Sequence, residues 1–232
     1  MSLFAYSVWA LLSLILWICI YILRPKVRRE MLILSLIVAP IGILGGYFHS
    51  LDYFLPVRLF GTLWSIEDVI IGFTYGGIAG ALYEFLGYDR KERAQRPGYW
   101  MYGLLTLFLA GFWMWVAGAI GLNSAYAFTI TALVLGLFVC IMRPRLWRHA
   151  LFTGAAFCIG HTFFYLAFFS AFPDALSWWM LGNVSGELLW GIPVEEFVWT
   201  FAWGFALGPA SELATRLPLP RQLERALKPY VS

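Results

Sequence analysis

Charge is scarce in this sequence. Only 12% of its 232 residues are charged and 61% are apolar, against roughly 25% charged in soluble domains, so a soluble fold is excluded. Cysteine is scarcer still. Cys19, Cys140 and Cys158 fall in separate apolar stretches, their number is odd and no CxxC spacing occurs, so they read as buried packing residues rather than a disulfide framework. HExxH, Glu-x-x-His and Cys/His clusters are missing, as is a GxGxxG in a strand-turn-helix setting. No metal, flavin or nicotinamide cofactor is therefore expected. The net charge of +3 comes from short basic runs between apolar segments, which are topology signals and leave no basic face for nucleic acid.

What the chain has in abundance is apolar runs of the length that crosses a hydrocarbon core about 30 Å thick. They lie near 3 to 23, 31 to 51, 63 to 85, 100 to 120, 125 to 142, 149 to 171 and 188 to 212. The first is followed, not preceded, by basic residues, which is the reverse of a cleavable signal, so it stays as a helix. Basic runs from Arg24 to Arg29, Arg90 to Arg96, Arg143 to Arg148 and Arg216 to Lys228 follow the odd-numbered spans. All four then share one side, which the positive-inside rule makes cytoplasmic. The expectation is an all-α, multi-pass protein of the cell membrane with seven transmembrane helices, its amino terminus outside and its carboxy terminus cytoplasmic. The stretch 172 to 187 is too polar for an eighth span and reads as an outer loop or interfacial helix, with Trp178 and Trp179 at headgroup level.

An internal repeat appears when the third and seventh spans are compared at an offset of 128 residues. Glu67 meets Glu195, Asp68 meets Glu196, Phe73 meets Phe201, Gly76 meets Gly204, Gly80 meets Gly208 and Glu84 meets Glu212, without a gap. Four spans separate the two helices, so both cross in the same direction and the repeat is parallel. A single membrane domain over 1 to 232 follows: repeat 1 about 1 to 85, a linking helix about 100 to 120, repeat 2 about 125 to 212, and a cytoplasmic tail from 213 to 232.

An acid inside a spanning helix costs roughly 2.5 to 3.5 kcal/mol on insertion scales, so the paired acids need a reason. Glu84 and Glu212 reach the cytoplasmic end and read as anchors. Glu67, Asp68, Glu195 and Glu196 lie a turn or two below the outer surface, where each must find a partner or a polar cavity. Gly76 and Gly80 fall nearly opposite Glu67 on a helical wheel, as Gly204 and Gly208 do from Glu195. If the helices pack through these glycines, the first acid of each pair faces an internal chamber, while the second, turned by about 100°, bonds a neighbouring helix. Two readings compete: a satisfied polar network that fixes helix register, or a general acid and base in an apolar chamber. Duplication at matching positions favours the second. His161 and His49 are packing residues or proton-relay partners to the acids. Trp199 and Trp203 follow the second pair at helical spacing, and an aromatic wall there suits a developing carbocation.

The stretch Gly191 to Phe197, introduced by Asn183 to Trp190, resembles the PxEE motif (Pro193, Glu195, Glu196) of the membrane-integral lycopene cyclases, which are built from two three-helix units. Ser65, Ile66, Glu67, Asp68 is a weaker copy, with Ser65 where the first proline would stand. The resemblance implies a redox-neutral carotenoid or other isoprenoid cyclase that needs no cofactor. It protonates a terminal double bond, lets a neighbouring double bond close a six-membered ring, and removes a proton. Carried over by residue, Glu195 and Glu196 are the acid and its partner, and Glu67 and Asp68 the matched pair and base. Asn183, His161, Trp199 and Trp203 are expected to meet the hydrophobic isoprenoid substrate. Membrane lipid surrounds the chain, and a homo-oligomer is compatible with this reading. A hydratase quenching the same cation with water, or a non-catalytic transporter or binder of apolar ligands, uses the same features. A retinal-binding pump does not fit, because the only lysines, Lys26, Lys91 and Lys228, lie outside the spans.

Overall fold

The computed structural model describes residues 4–85 and 118–216. The expected fourth span up to 117, the basic run at 90 to 96 and the tail beyond 216 lie outside the described residues, as does the side chain of Glu212.

Six long helices make up the described chain: α1 (Ala5–Leu23), α2 (Arg28–Asp52), α3 (Ile66–Phe85), α4 (Ser124–Met142), α5 (Trp147–Ala171) and α6 (Val194–Arg216). The first break is set by proline. Arg24 and Arg143 precede Pro25 and Pro144 and take extended backbone, with φ/ψ of −125°/75° and −141°/77°, as the clash with a following proline ring requires. The prolines then open short 3₁₀ turns, Pro25–Val27 and Pro144–Leu146, that lead directly into α2 and α5. Asn123 caps α4, its side chain accepting from the Ala125 N–H at 2.9 Å.

The two halves of the chain match in length. Helices α1 and α4 each have 19 residues and α2 and α5 each have 25, the later member starting 119 positions on (5 to 124, 28 to 147). Helix α6 starts 128 positions after α3 (66 to 194), because the connection before it has 22 residues (172–193) where the earlier one has 13 (53–65). The extra residues build the 3₁₀ turns Pro173–Trp178 and Leu181–Asn183 and a hairpin, Leu188–Leu189 with Ile192–Pro193. The last helix was expected from residue 188 and begins instead at Val194. Trp190 and Gly191 form the turn with φ of 55° and 79°, a left-handed conformation that glycine adopts at no cost. Hydropathy alone does not see such a turn.

Helix α1 packs on α3 beside α2, and α4 packs on α6 beside α5, while α3 and α6 meet in the middle. Glycine permits the tight contacts. A methyl group at Gly72 would strike the backbone of Gly42, one at Gly76 would strike Val38, and one at Gly204 would strike the Thr153 carbonyl. Among the described residues four helical segments are long and apolar enough to cross a membrane: Ala5–Leu23, Pro25–Asp52, Ser124–Ile141 and Pro144–Ala171. Leucine and isoleucine side chains of α1 and α4 cover the outer surface, which fits a membrane protein. Helices α3 and α6, which carry the acids and most of the contact glycines, are the inner pair. Two expectations are corrected. Trp178 and Trp179 are only 3% and 4% exposed and belong to an aromatic cluster with Tyr6, Trp9 and Tyr165, and Cys19 is exposed while Cys140 is buried.

Candidate active site

Both acid pairs open a helix: Glu67 and Asp68 in the first turn of α3, Glu195 and Glu196 in the first turn of α6. Free backbone N–H groups favour a carboxylate there. Neighbouring residues on a helix diverge by about 100°, so each pair splits between the loop above and the bundle below. Glu67 turns to the loop, accepting from the Ser7 hydroxyl at 2.9 Å, from the Leu59 N–H at 3.0 Å and from the Ser65 hydroxyl. Glu195 does the same, accepting from the Ser185 N–H at 2.8 Å and the Tyr126 hydroxyl at 3.2 Å. The second acids, Asp68 and Glu196, turn inward.

This reverses the orientation expected from the sequence, and the reason lies in which residues make the contact. Helix α3 approaches α2 through Gly72 as well as Gly76, and Asp68 is one turn before Gly72 on the same face. Its carboxylate lies against Gly46, in space that any side chain there would fill. Glu196 stands one and two turns before Thr200 and Gly204, on the face that meets α5.

The two inward acids have different company. Asp68 forms a buried ion pair with Arg58, Nε to Oδ2 at 2.8 Å and Nη2 to Oδ1 at 3.2 Å, and also accepts from the Tyr6 hydroxyl at 2.7 Å and the Ser65 N–H at 2.8 Å. Glu196 has neutral donors: the hydroxyls of Tyr53 and Tyr165, each at 2.5 Å, and the Trp179 indole N–H at 2.8 Å.

A cavity of about 100 Å³ lies between them. All six helices contribute to its wall, with Asp68 and Glu196, His49, Tyr75 and the rings of Trp9, Phe128, Trp179, Trp199 and Trp203 among the lining groups. Trp199 and Trp203 stack with centroids 5.6 Å apart and planes 7° from parallel. His161 stands behind the wall, its Nε2 2.6 Å from the Tyr75 hydroxyl, which itself accepts from the Trp9 indole at 2.8 Å. Asn183 is not among the lining residues. It lies in the connection before α6, donating to the Asp52 carbonyl at 2.9 Å. Among the described residues no cluster of three His, Cys, Asp or Glu side chains is disposed to hold a metal ion.

Sequence reasoning did not find Arg58, Tyr6, Tyr53, Tyr165 or the inward role of Trp179. A signal for Arg58 exists: it is a lone basic residue in a connection on the side otherwise poor in basic residues.

Fold and site together define a helical membrane protein with carboxylates set in an aromatic cavity. Residues 123–213, which span α4 to the first turns beyond Gly208 in α6, match the family model described as lycopene cyclase. The match is a likeness of the second half of the chain, α4 to α6, to that family. No curated protein and no solved structure matches the chain.

Proposed function

We propose that this protein closes a ring at the end of an acyclic carotenoid by acid-initiated, redox-neutral cyclisation, with Glu196 as the general acid. The proton of Glu196 is added to the terminal double bond, the neighbouring double bond attacks the resulting cation, and loss of a proton from the ring restores an alkene, so atoms and charge balance. The observation that carries this reading is the contrast in company: Glu196 meets the cavity with neutral donors, while Asp68 is paired to Arg58. An acid that gives up its proton beside two phenols and an indole leaves a carboxylate already supplied with three hydrogen bonds. Asp68 behaves as a fixed carboxylate, because protonating it would strand a buried guanidinium. Glu67 and Glu195 hold the two outer loops over the helix starts. The faces of Trp199 and Trp203 stabilise the cation. A cavity of about 100 Å³ receives the reacting chain end, and the remainder of a long polyene extends out of it toward lipid.

The equal helix lengths in the two halves support a pair of parallel three-helix repeats. With the linking helix this gives seven spans, the amino terminus outside and the carboxy terminus cytoplasmic. The reaction needs no cofactor.

Expression of the full chain in a host that accumulates lycopene tests the reading. The expected product has unchanged mass and, in heavy water, one solvent deuterium per ring. A product one water heavier would make the protein a hydratase, and unaltered lycopene retained by the purified protein would make it a binder.

A further inference from the structure

Ring closure needs a base as well as an acid, and His49 is placed for it. Its ring lines the same cavity as Glu196. Its Nδ1 is 2.7 Å from the Ser124 hydroxyl oxygen, and that hydroxyl is 2.5 Å from Asp52 Oδ1, while the Ser124 N–H donates to Asp52 Oδ2 at 2.8 Å. A serine hydroxyl has one proton to give. With that proton committed to the Asp52 carboxylate, Ser124 can only accept from His49, which makes Nδ1 the N–H and leaves the lone pair on Nε2. That nitrogen lies over Gly45, another residue of the cavity wall, about 4.0 Å from the position a Cβ there would take. Among the described residues no side chain or backbone group hydrogen-bonds it.

The acid lies close by in the same wall. Tyr53 donates to Glu196 at 2.5 Å, and its ring centroid is 5.6 Å from that of His49. One tyrosine thus touches both groups, and both line the cavity. Helix α4 supplies Ser124 and also Phe128, whose ring is 4.8 Å from His49 and fixes its plane.

We propose that His49 is the base that ends the cyclisation, with Ser124 and Asp52 as the positioning residues that make it one; this rests on the cyclase reading above. The C–H bond next to the ring cation breaks and its electron pair becomes the new double bond. The proton goes to His49 Nε2. The imidazolium keeps its Nδ1–H on Ser124, and the Asp52 carboxylate behind that hydroxyl stabilises the charge, the same logic by which a carboxylate orients and stabilises a catalytic histidine elsewhere. Glu196 gives one proton and His49 receives one for each ring, so the balance closes when His49 releases its proton to solvent and Glu196 takes one up from solvent.

The test uses the full chain in lipid vesicles, lycopene as the probe and heavy water as solvent, with wild type, His49→Gln, Ser124→Ala and Ser124→Thr run together. In His49→Gln, ring formation should fall by on the order of 10²-fold or more, the size of an acid-base contribution. The recovered lycopene should carry solvent deuterium at its chain ends, because Glu196 still protonates the double bond and then takes a proton back. Ser124→Ala should fall by about tenfold with the same deuterium in unreacted substrate, a partial loss of the base contribution, and Ser124→Thr should restore turnover. Ring formation within about tenfold of wild type in His49→Gln would overturn the assignment, as would loss of turnover with no deuterium in the substrate. If His49→Gln does not fold, the Ser124 pair decides: a fall in Ser124→Ala that Ser124→Thr restores, with deuterium in the unreacted substrate, supports the assignment, and wild-type turnover in Ser124→Ala, or a fall with no deuterium in the substrate, overturns it. Wild type that forms no ring at all would sink the cyclase reading itself, a result distinct from failure of the base.

Discussion

Helices α3 and α6 enter the bundle with two acids each at matching positions, and the two pairs split the same way, one to the loop and one to the cavity. What differs is the charge opposite the inward acid. Asp68 faces Arg58, 3% exposed and held also by the Gly46 carbonyl, with the Tyr6 ring under its guanidinium. Glu196 faces two phenols and an indole. Matching positions on two helices therefore need not have matching surroundings. In the first half of the chain the inward acid sits in an ion pair that holds the 53–65 connection to α2 and α3, and in the second half it meets neutral donors.

The largest effect should come from breaking the ion pair. Arg58→Met leaves Asp68 as a buried charge without a counterion and is expected to cost about 3 to 5 kcal/mol of stability; thermal unfolding in detergent micelles measures it, and the double variant Arg58→Met/Asp68→Leu should recover most of the loss. If the double variant were no more stable than Arg58→Met, the pair would not be the reason for the loss.

The aromatic wall comes next. Trp199→Leu should slow ring formation by roughly 2- to 30-fold, the kinetic equivalent of a cation–π contact of about 0.5 to 2 kcal/mol, without a matching fall in substrate binding by fluorescence quenching. An equal loss in both would make Trp199 a packing residue. Tyr165→Phe removes one donor from Glu196 and should cost about 1 kcal/mol of stability. A loss near that of Arg58→Met would show that Glu196 is held as a charge and weaken its role as acid. Smallest of all, Glu67→Gln should leave turnover within about tenfold of wild type, since its carboxylate only secures the Ser7, Leu59 and Ser65 contacts.

Much of the frame was legible in the sequence. The bounds of five expected spans fall within three residues of those of helices α1 to α5, and four of these helices are long and apolar enough to cross a membrane, because runs of about 20 apolar residues leave little freedom and Arg-Pro breaks two of them from the next helix. The matching acids and glycines of α3 and α6 were visible at one constant offset. The equal lengths of α1 and α4 were not, since the two share little sequence pattern and run at a different offset. Which acid faces inward was misread because the wheel was drawn from Gly76 and Gly80, while Gly72 and Gly46 decide where the carboxylate fits. The partners of the inward acids were out of reach for another reason. Tyr6 meets Asp68 across 62 residues and Tyr53 meets Glu196 across 143, and no local periodicity encodes such contacts.

Ring formation from lycopene by Glu196→Gln and Glu195→Gln, measured side by side in the purified full chain, tests the assignment of the acid most directly. Glutamine preserves size and most hydrogen bonds at both positions but has no proton to give at neutral pH. With Glu196 as the acid, the first variant loses on the order of 10²- to 10⁴-fold in turnover and the second stays within about tenfold of wild type. Near-normal turnover by Glu196→Gln, or a collapse confined to Glu195→Gln, would contradict it.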